Sequence, residues 1–399
     1  MAKKKATATP KKKKSVDLTA VLGDAEKGQK ESSLVELDID SLSASMPHIS
    51  TGSVALDYLI GGKENAQGIR PCPGIPRGRV TNIYGLAGAG KTTIALQTAA
   101  SACAEEGGTC VYIDFENEVE PRYAANLGVP VSDKTKFMLL QPETLEQGMK
   151  LMVKFAMAGV DLIVVDSVGA GVPEKFFADP GGQQQVGLLA QKWSQFLPIF
   201  KRMISDSSTA VIGISQLREK MGGMGGFGAG PSRDAQGGNA WKYYSSVRMM
   251  LKVIGKDKGK SWDGLQNKVV EVVKGNIARA VLDKCKVSDS YKHEADFYLT
   301  NGIGVDNERT ILELALKTNI VKKGGSWYTW VDPSSSQEYK GQGLEGFRNL
   351  LPDGWLATMF GQVKPYLSEK TEDVEDASAE VTNSDKSDAL DEFNELFGT

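Results

Sequence analysis

Nine residues, Gly85 to Thr93, limit what this chain can be more than any others. They read Gly-Leu-Ala-Gly-Ala-Gly-Lys-Thr-Thr and fill the pattern G-x-x-x-x-G-K-[ST] at every fixed position. Before them, Arg79 to Tyr84 is alternating and β-branched, as in a strand; from Thr92 the chain turns Ala-rich, as in a helix. A strand, a glycine turn and a helix N-terminus in that order aim successive backbone N–H groups at one anion. The segment therefore predicts a nucleoside-triphosphate site built from Gly85, Leu86, Ala87, Gly88, Ala89, Gly90, Lys91, Thr92 and Thr93. Lys91 would reach the terminal phosphates and the Thr92 hydroxyl would hold Mg²⁺. A glycine loop without function is the bland alternative. It fits poorly, because Lys-Thr follows the last glycine directly and an acidic strand end lies downstream.

At 399 residues the chain exceeds most single domains, so a large core with appendages or two domains is expected. Its net charge of −3 hides an asymmetry. Residues 1–14 hold seven lysines and no acid, whereas 368–399 hold eleven acids against two lysines, a net charge of −9. Such blocks, poor in large apolar side chains, predict disordered interaction tails. The lysines read as a solvated basic arm, with a nuclear signal as the alternative. Cys72, Cys103, Cys110 and Cys285 show no metal spacing and there are two histidines, which argues against zinc and fits a reduced compartment. No run approaches 18 apolar residues and no secretory signal is evident, so the expectation is a cytoplasmic protein without membrane contact.

Strand-like and helix-like runs alternate through the middle of the chain. Thr109–Asp114, Asp161–Ser167 and Thr209–Gln216 are short apolar runs ending in polar residues, with helical spacing over 144–159 and 188–206. Further strand-like runs follow at 246–254 and 269–282, and a smaller α/β piece with Trp327, Trp330 and Trp355 from about residue 302. Gly61–Pro76 reads as a surface loop. The fold class expected is α/β: a P-loop NTPase core with a mainly parallel twisted sheet covered by helices, plus a small α/β C-terminal domain and disordered charged termini. The expected divisions are a basic arm (1–31), a segment leading into the core (32–75), the core (76–301), the small domain (302–367) and the acidic tail (368–399).

Ligands of such sheets collect at the carboxyl ends of the strands, where Asp114, Glu116, Asp166 and Gln216 fall. Asp166 closes the strand I-V-V-D, as suits a carboxylate holding Mg²⁺ through water. Glu116, two residues past its strand, is placed to orient and deprotonate the water attacking a γ-phosphate; a solvated loop acid is the alternative. Gly222–Gly238 is too glycine-rich to order itself, and with the Gly/Pro-containing loop 176–187 it suggests a long flexible polymer as partner.

Over about residues 45–367 the chain resembles the RecA family of homologous recombinases. The resemblance rests on I-S-T-G-S-V-A-L-D (49–57), the phosphate loop, Y-I-D-F-E-N-E-V-E-P-R-Y (112–123) and L-I-V-V-D-S-V (162–168). I-S-Q-L-R (214–218), G-G-N-A-W-K-Y-Y-S-S-V-R (237–248), D-K-C-K (283–286), G-G-S-W-Y (324–328) and G-Q-G (341–343) follow in family order. It implies ATP with Mg²⁺ between adjacent subunits of a helical homo-oligomeric filament on single-stranded DNA, which pairs with homologous double-stranded DNA and exchanges strands. Gln216 matches the amide that senses the γ-phosphate. Lys284 and Lys286 match a pair inserted onto the neighbour's phosphates, like an arginine finger. Tyr123 matches the aromatic against adenine, and Glu120 stands where the family usually has Asp. The loops 176–187 and 217–238 match those holding DNA, which assigns contacts to Gln183, Gln184, Gln185, Arg218, Gly222, Gly223, Met224, Phe227, Arg233, Gly237, Gly238 and Asn239. Lys242 and Tyr243 fall where the family makes filament contacts. A single-strand binding protein and a loader stand as expected further partners.

Departures are specific. L-A-G-A replaces a usual P-E-S-S in the phosphate loop, Ser215 replaces Asn, 61–76 looks like an insertion, and Leu344 replaces a lysine. These, with the tail tip Asp391-Glu-Phe-Asn-Glu, resemble phage-encoded recombinases, for which the compartment would be the host cytoplasm. Two competing classes are a hexameric helicase-type motor on the same core and a non-hydrolysing DNA-coating regulator. The first would lack the K-C-K pair together with G-G-N-A-W-K-Y; the second would be expected to lose Glu116.

Overall fold

The computed structural model describes residues 44–66, 68–178, 187–205, 207–219, 233–235, 238–263, 267–289 and 293–368. In chain order the elements are β1 (His48–Ile49), α1 (Val54–Gly61), β2 (Ile75–Pro76), β3 (Val80–Gly85), α2 (Lys91–Ala104), β4 (Cys110–Asp114), α3 (Pro121–Asn126), β5 (Phe137–Leu140) and α4 (Leu145–Met157). Then come β6 (Leu162–Asp166), α5 (Glu174–Ala178), α6 (Leu188–Ser205), β7 (Ala210–Glu219), β8 (Arg233–Ala235), α7 (Asn239–Tyr244), β9 (Val247–Asp263), β10 (Lys268–Cys285), β11 (Glu294–Thr300) and β12 (Gly304–Val305). The chain continues through α8 (Asn307–Lys317), β13 (Lys322–Gly324), β14 (Trp327–Val331), β15 (Glu338–Gln342), α9 (Leu344–Arg348) and α10 (Trp355–Ser368).

The main sheet has the order β12-β11-β10-β9-β3-β7-β6-β4-β5, with β8 paired to β7. From β9 through β3 to β5 every pairing is parallel; β9, β10, β11 and β12 pair antiparallel. The predicted α/β class is thus borne out, and the strands read from short apolar runs match within about one residue at their starts. The reason is burial. All residues of β3, β4 and β6 are buried, so these strands carry apolar side chains on both faces and end where polarity is allowed.

One helical layer is pinned by a tryptophan. Trp241 of α7 is buried and packs edge-on against Trp193 of α6 at 5.1 Å. A Cβ at Gly213 of β7 would lie 2.1 Å from the Trp241 ring, so only glycine lets α7 seat against the sheet. Full burial of such a ring stabilises the fold by about 3 kcal/mol. A second cluster joins α2 and α1 to the opposite face of the sheet. A third gathers Val54 and Tyr58 of α1 with Ile311, Trp330, Phe347, Phe360 and neighbours from α8 to α10. None of the described helices is long and apolar enough to cross a membrane.

The structure differs from the sequence reading in several places. The run after Ile49 forms α1, with Asp57 wholly buried beneath the Ser50–Ser53 turn. Gly61–Pro76 is a surface loop only in part, because Cys72, Ile75 and Pro76 are buried and β2 pairs with β1. The hairpin β9–β10 runs well past Ile254, to Asp263. Phe176 belongs to the short helix α5 rather than to a loop. At residues 217–219 and 233–235 the second loop has an antiparallel stem.

Candidate nucleotide-binding site

The phosphate loop is held open by its own backbone. Gly88 and Gly90 have φ of 73° and 91°, and a Cβ at Gly90 would lie 2.4 Å from Leu299 Cδ1. Gly85 closes β3 so tightly that a Cβ would come 2.2 Å from the Leu251 carbonyl oxygen. α2 then starts at Lys91, leaving its first N–H groups aimed into the loop. Leu86, Ala87 and Gly88 are exposed at the mouth, and Ala89 is buried beneath.

Lys91 is buried, and its ammonium donates to the Leu86 carbonyl at 2.9 Å. Burial pulls its pKa down, opposed by Asp166 and then Glu116. The Thr92 hydroxyl donates to Asp166 Oδ2 at 2.8 Å, and the Tyr112 hydroxyl donates to the same oxygen at 2.7 Å. Burial raises the Asp166 carboxyl to about 6. A hydroxyl and a carboxylate meeting at the start of α2 form an oxygen donor pair of the hard kind that Mg²⁺ takes, so the residues present fit that ion.

Glu116 is half-buried, and Gln216 Nε2 donates to both of its oxygens, at 2.8 and 3.0 Å. Gln216 lies opposite Gly85 in the β3–β7 pairing, so this contact spans from the β4 loop to the phosphate-loop strand's neighbour. What aims Glu116 is Asp114, whose Oδ1 accepts from the Glu116 and Asn117 amides at 3.0 and 2.9 Å and whose Oδ2 accepts from the Val119 amide at 3.2 Å. Sequence reading placed Asp114 at the strand end without this role. The signal was its spacing, an Asx-type carboxylate two residues before its first amide partner.

Tyr123 is brought to the loop, its hydroxyl 2.8 Å from Thr93 Oγ1. Glu120 is occupied otherwise: it caps α3, accepting from the Arg122 and Tyr123 amides at 3.0 and 2.6 Å, with Pro121 in the first turn.

Lys284 and Lys286 lie apart from their own phosphate loop. Lys284 pairs with Arg248, which pairs with Asn82. The Lys286 amide donates to the Ser246 carbonyl, and the Ser246 amide to the Val80 carbonyl, at the starting end of β3. Asn82 precedes Gly85 by three residues, about 10 Å of strand. The Lys284 ammonium donates to the carbonyls of Lys242 and Tyr243 at 3.1 and 2.8 Å, at the C-terminus of α7. Burial, then Lys286, Lys201 and Arg248, lower its pKa. Lys286, Lys242 and Tyr243 are exposed. Gly238 (φ 77°) opens α7 against Ala190, followed by the exposed Asn239. Gln183, Gln184, Gln185, Gly222, Gly223, Met224, Phe227 and Gly237 lie outside the described residues, as do 1–43 and 369–399; Arg218 and Arg233 are placed in β7 and β8 by their backbones.

A strand, a glycine loop with lysine and hydroxyl, and an acidic strand end two strands away define a P-loop protein that binds nucleoside triphosphates. The family model described as the RecA N-terminal domain matches residues 16–295. A Protein RecA of Laribacter hongkongensis is 37% identical over 335 residues, 84% of this chain and 85% of that protein. Those of Acidiphilium cryptum (35% over 337 residues, 84% and 88%) and Chlorobaculum parvum (37% over 322 residues, 80% and 83%) are similar too. The chain belongs to the RecA family, and with it to the ATP- and DNA-binding proteins of DNA recombination and repair.

Proposed function

We propose that this protein is a DNA-dependent ATPase that polymerises on single-stranded DNA and exchanges strands with a homologous duplex, each ATP lying between two subunits. The observation that carries this reading is the separation of the charges: Lys91, Thr92, Glu116, Asp166 and Gln216 gather at one end of the sheet, while Lys284 and Lys286 lie at the starting end of β3. A chain arranged so offers its lysines outward, and a neighbour in a helical array can receive them.

In this scheme the loop amides and Lys91 bind the β- and γ-phosphates. Thr92 and, through water, Asp166 would hold Mg²⁺, which would supply charge neutralisation at the phosphate oxygens. Glu116 accepts the proton of the attacking water, and the Gln216 amide hands over from Glu116 to the γ-phosphate. Since β7 runs from Gln216 straight into the paired stem 217–219, that exchange is transmitted to the loop 217–238 expected to hold DNA. The neighbour's Lys284 and Lys286 stabilise the transferred charge. Tyr123 stacks on adenine beside Thr93; Glu120 shapes that wall as a helix cap. Residues 76–301 act as the motor, 302–367 as an appended domain and 368–399 as a charged tail.

The test is a strand-exchange reaction between circular single-stranded DNA and a homologous linear duplex, with filament imaging in a non-hydrolysable ATP analogue. Joint molecules and regular filaments are expected. Closed six-membered rings without strand exchange would overturn the reading.

A further inference from the structure

One polar cluster in the sheet is absorbed by neither the nucleotide nor the DNA. Tyr84, the residue before Gly85, is buried, and its hydroxyl donates to Asp283 Oδ2. Arg248 Nη1 donates to the same carboxylate oxygen at 2.8 Å, and its guanidinium lies 3.9 Å from the Tyr84 ring centroid. Asp283 occupies a register shift in β10, since Leu282 pairs with Met249 and Lys284 with Arg248, leaving Asp283 without an opposite residue. Bulges of this kind re-aim the side chains around them. Here the bulge turns Asp283 to the Tyr84–Arg248 pair and sets the direction of the next residues, Lys284 to Lys286.

We propose that Tyr84 is a positioning residue for the adjoining subunit's phosphates: through Asp283 and Arg248, the strand that carries a subunit's own phosphate loop fixes the lysines it offers to its neighbour. The inference rests on the reading that Lys284 and Lys286 act in trans. Three features support it. Tyr84 is covalently next to Gly85, so any adjustment of the loop moves the phenol. The hydroxyl is a donor in its neutral form, and burial followed by the Asp283 bond raises its pKa, which keeps it neutral. The segment is braced independently on its other side by Lys284 on the α7 carbonyls, so the Asp283 side is the one that answers to the loop. The consequence is that nucleotide occupancy in one subunit tunes hydrolysis in the next.

Tyr84→Phe removes the hydroxyl and keeps the ring beneath Arg248. Nucleotide binding and filament formation on DNA should persist while DNA-dependent turnover falls about tenfold, as for a lost hydrogen bond to a charged acceptor. Mixing separates cis from trans. Lys91→Ala subunits bring intact lysines, so they should raise the turnover of Tyr84→Phe subunits per intact loop; subunits carrying Lys284→Ala and Lys286→Ala should not. Unchanged turnover in Tyr84→Phe, or a defect that Lys91→Ala subunits leave uncorrected, overturns the proposal. Normal hydrolysis by the double-lysine variant alone would instead remove the in-trans reading beneath it. Circular dichroism melting checks that Tyr84→Phe is folded; Asp283→Asn, which keeps shape but not charge, should give the same pattern in the mixtures.

Discussion

The parallel and antiparallel halves of the main sheet solve different problems with the same backbone. In the parallel half, β3, β4 and β6 are buried along their whole length, and the carboxylates of β4 and β6, Asp114 and Asp166, lie at their carboxyl ends. In the antiparallel half, β10 alternates exposed, intermediate and buried residues, and from Lys268 to Val273 it is paired with β9 alone. Burial on both faces concentrates the carboxylates at one edge. A hairpin with wet faces can carry cations anywhere along its length. The first half thus makes a site that is closed inward, and the second presents charge outward.

The largest effect belongs to the buried half. Lys91→Ala should weaken triphosphate binding on the order of a hundredfold or more, since the buried charge on the phosphates is lost. Titration with a fluorescent ATP analogue reads this directly, and unchanged affinity would break the assignment of the parallel edge as the nucleotide site. Glu116→Gln keeps size and hydrogen bonding but cannot take a proton, so turnover should drop by about a hundredfold. Filaments should form and last longer. Loss of DNA binding in that variant would make Glu116 a structural residue held by Gln216.

The smallest effect on turnover sharpens the other half, where α1 packs on β10 and β11. Asp57 is buried and accepts from the Ser50 hydroxyl at 2.6 Å and from Thr51 Oγ1 and N at 2.6 and 2.9 Å. Burial outweighs these donors and raises its carboxyl from 3.8 to about 7. The folded state therefore holds a proton that the unfolded chain gives up, and stability contributed below pH 4 is lost as pH rises towards 7. The loss is on the order of 4 kcal/mol. Asp57→Asn should flatten melting temperature against pH over that window; an unaltered slope would show that other groups set it.

Legibility followed the same division. Short, apolar, doubly buried strands leave a strong sequence signal, and the phosphate loop, Glu116, Asp166 and Gln216 were visible because they terminate such strands. β9 and β10 were read short, since alternating lysines and glycines in 255–260 dilute the apolar pattern over the outer part of the hairpin, where 252–259 and 268–274 are exposed or half-buried. The burial of Cys72 and Ile75 was hidden because it depends on β1, some 25 residues away in the chain. Glu120 was read through a family position, whereas locally its side chain caps the helix that opens with Pro121. The tie between Lys284 and α7 joins residues about forty apart and leaves no mark in either segment alone.

The central claim is that one chain cannot complete its own nucleotide site. Lys91→Ala subunits keep their lysines and lose their loop; subunits with Lys284→Ala and Lys286→Ala keep the loop and lose the lysines. Each alone should be nearly inactive in DNA-dependent ATP hydrolysis. Mixed on the same DNA, they should recover activity in proportion to junctions where an intact loop meets intact lysines, peaking near equal amounts. Activity that never exceeds the sum of the separate proteins, together with normal hydrolysis by the double-lysine variant, would contradict a shared site.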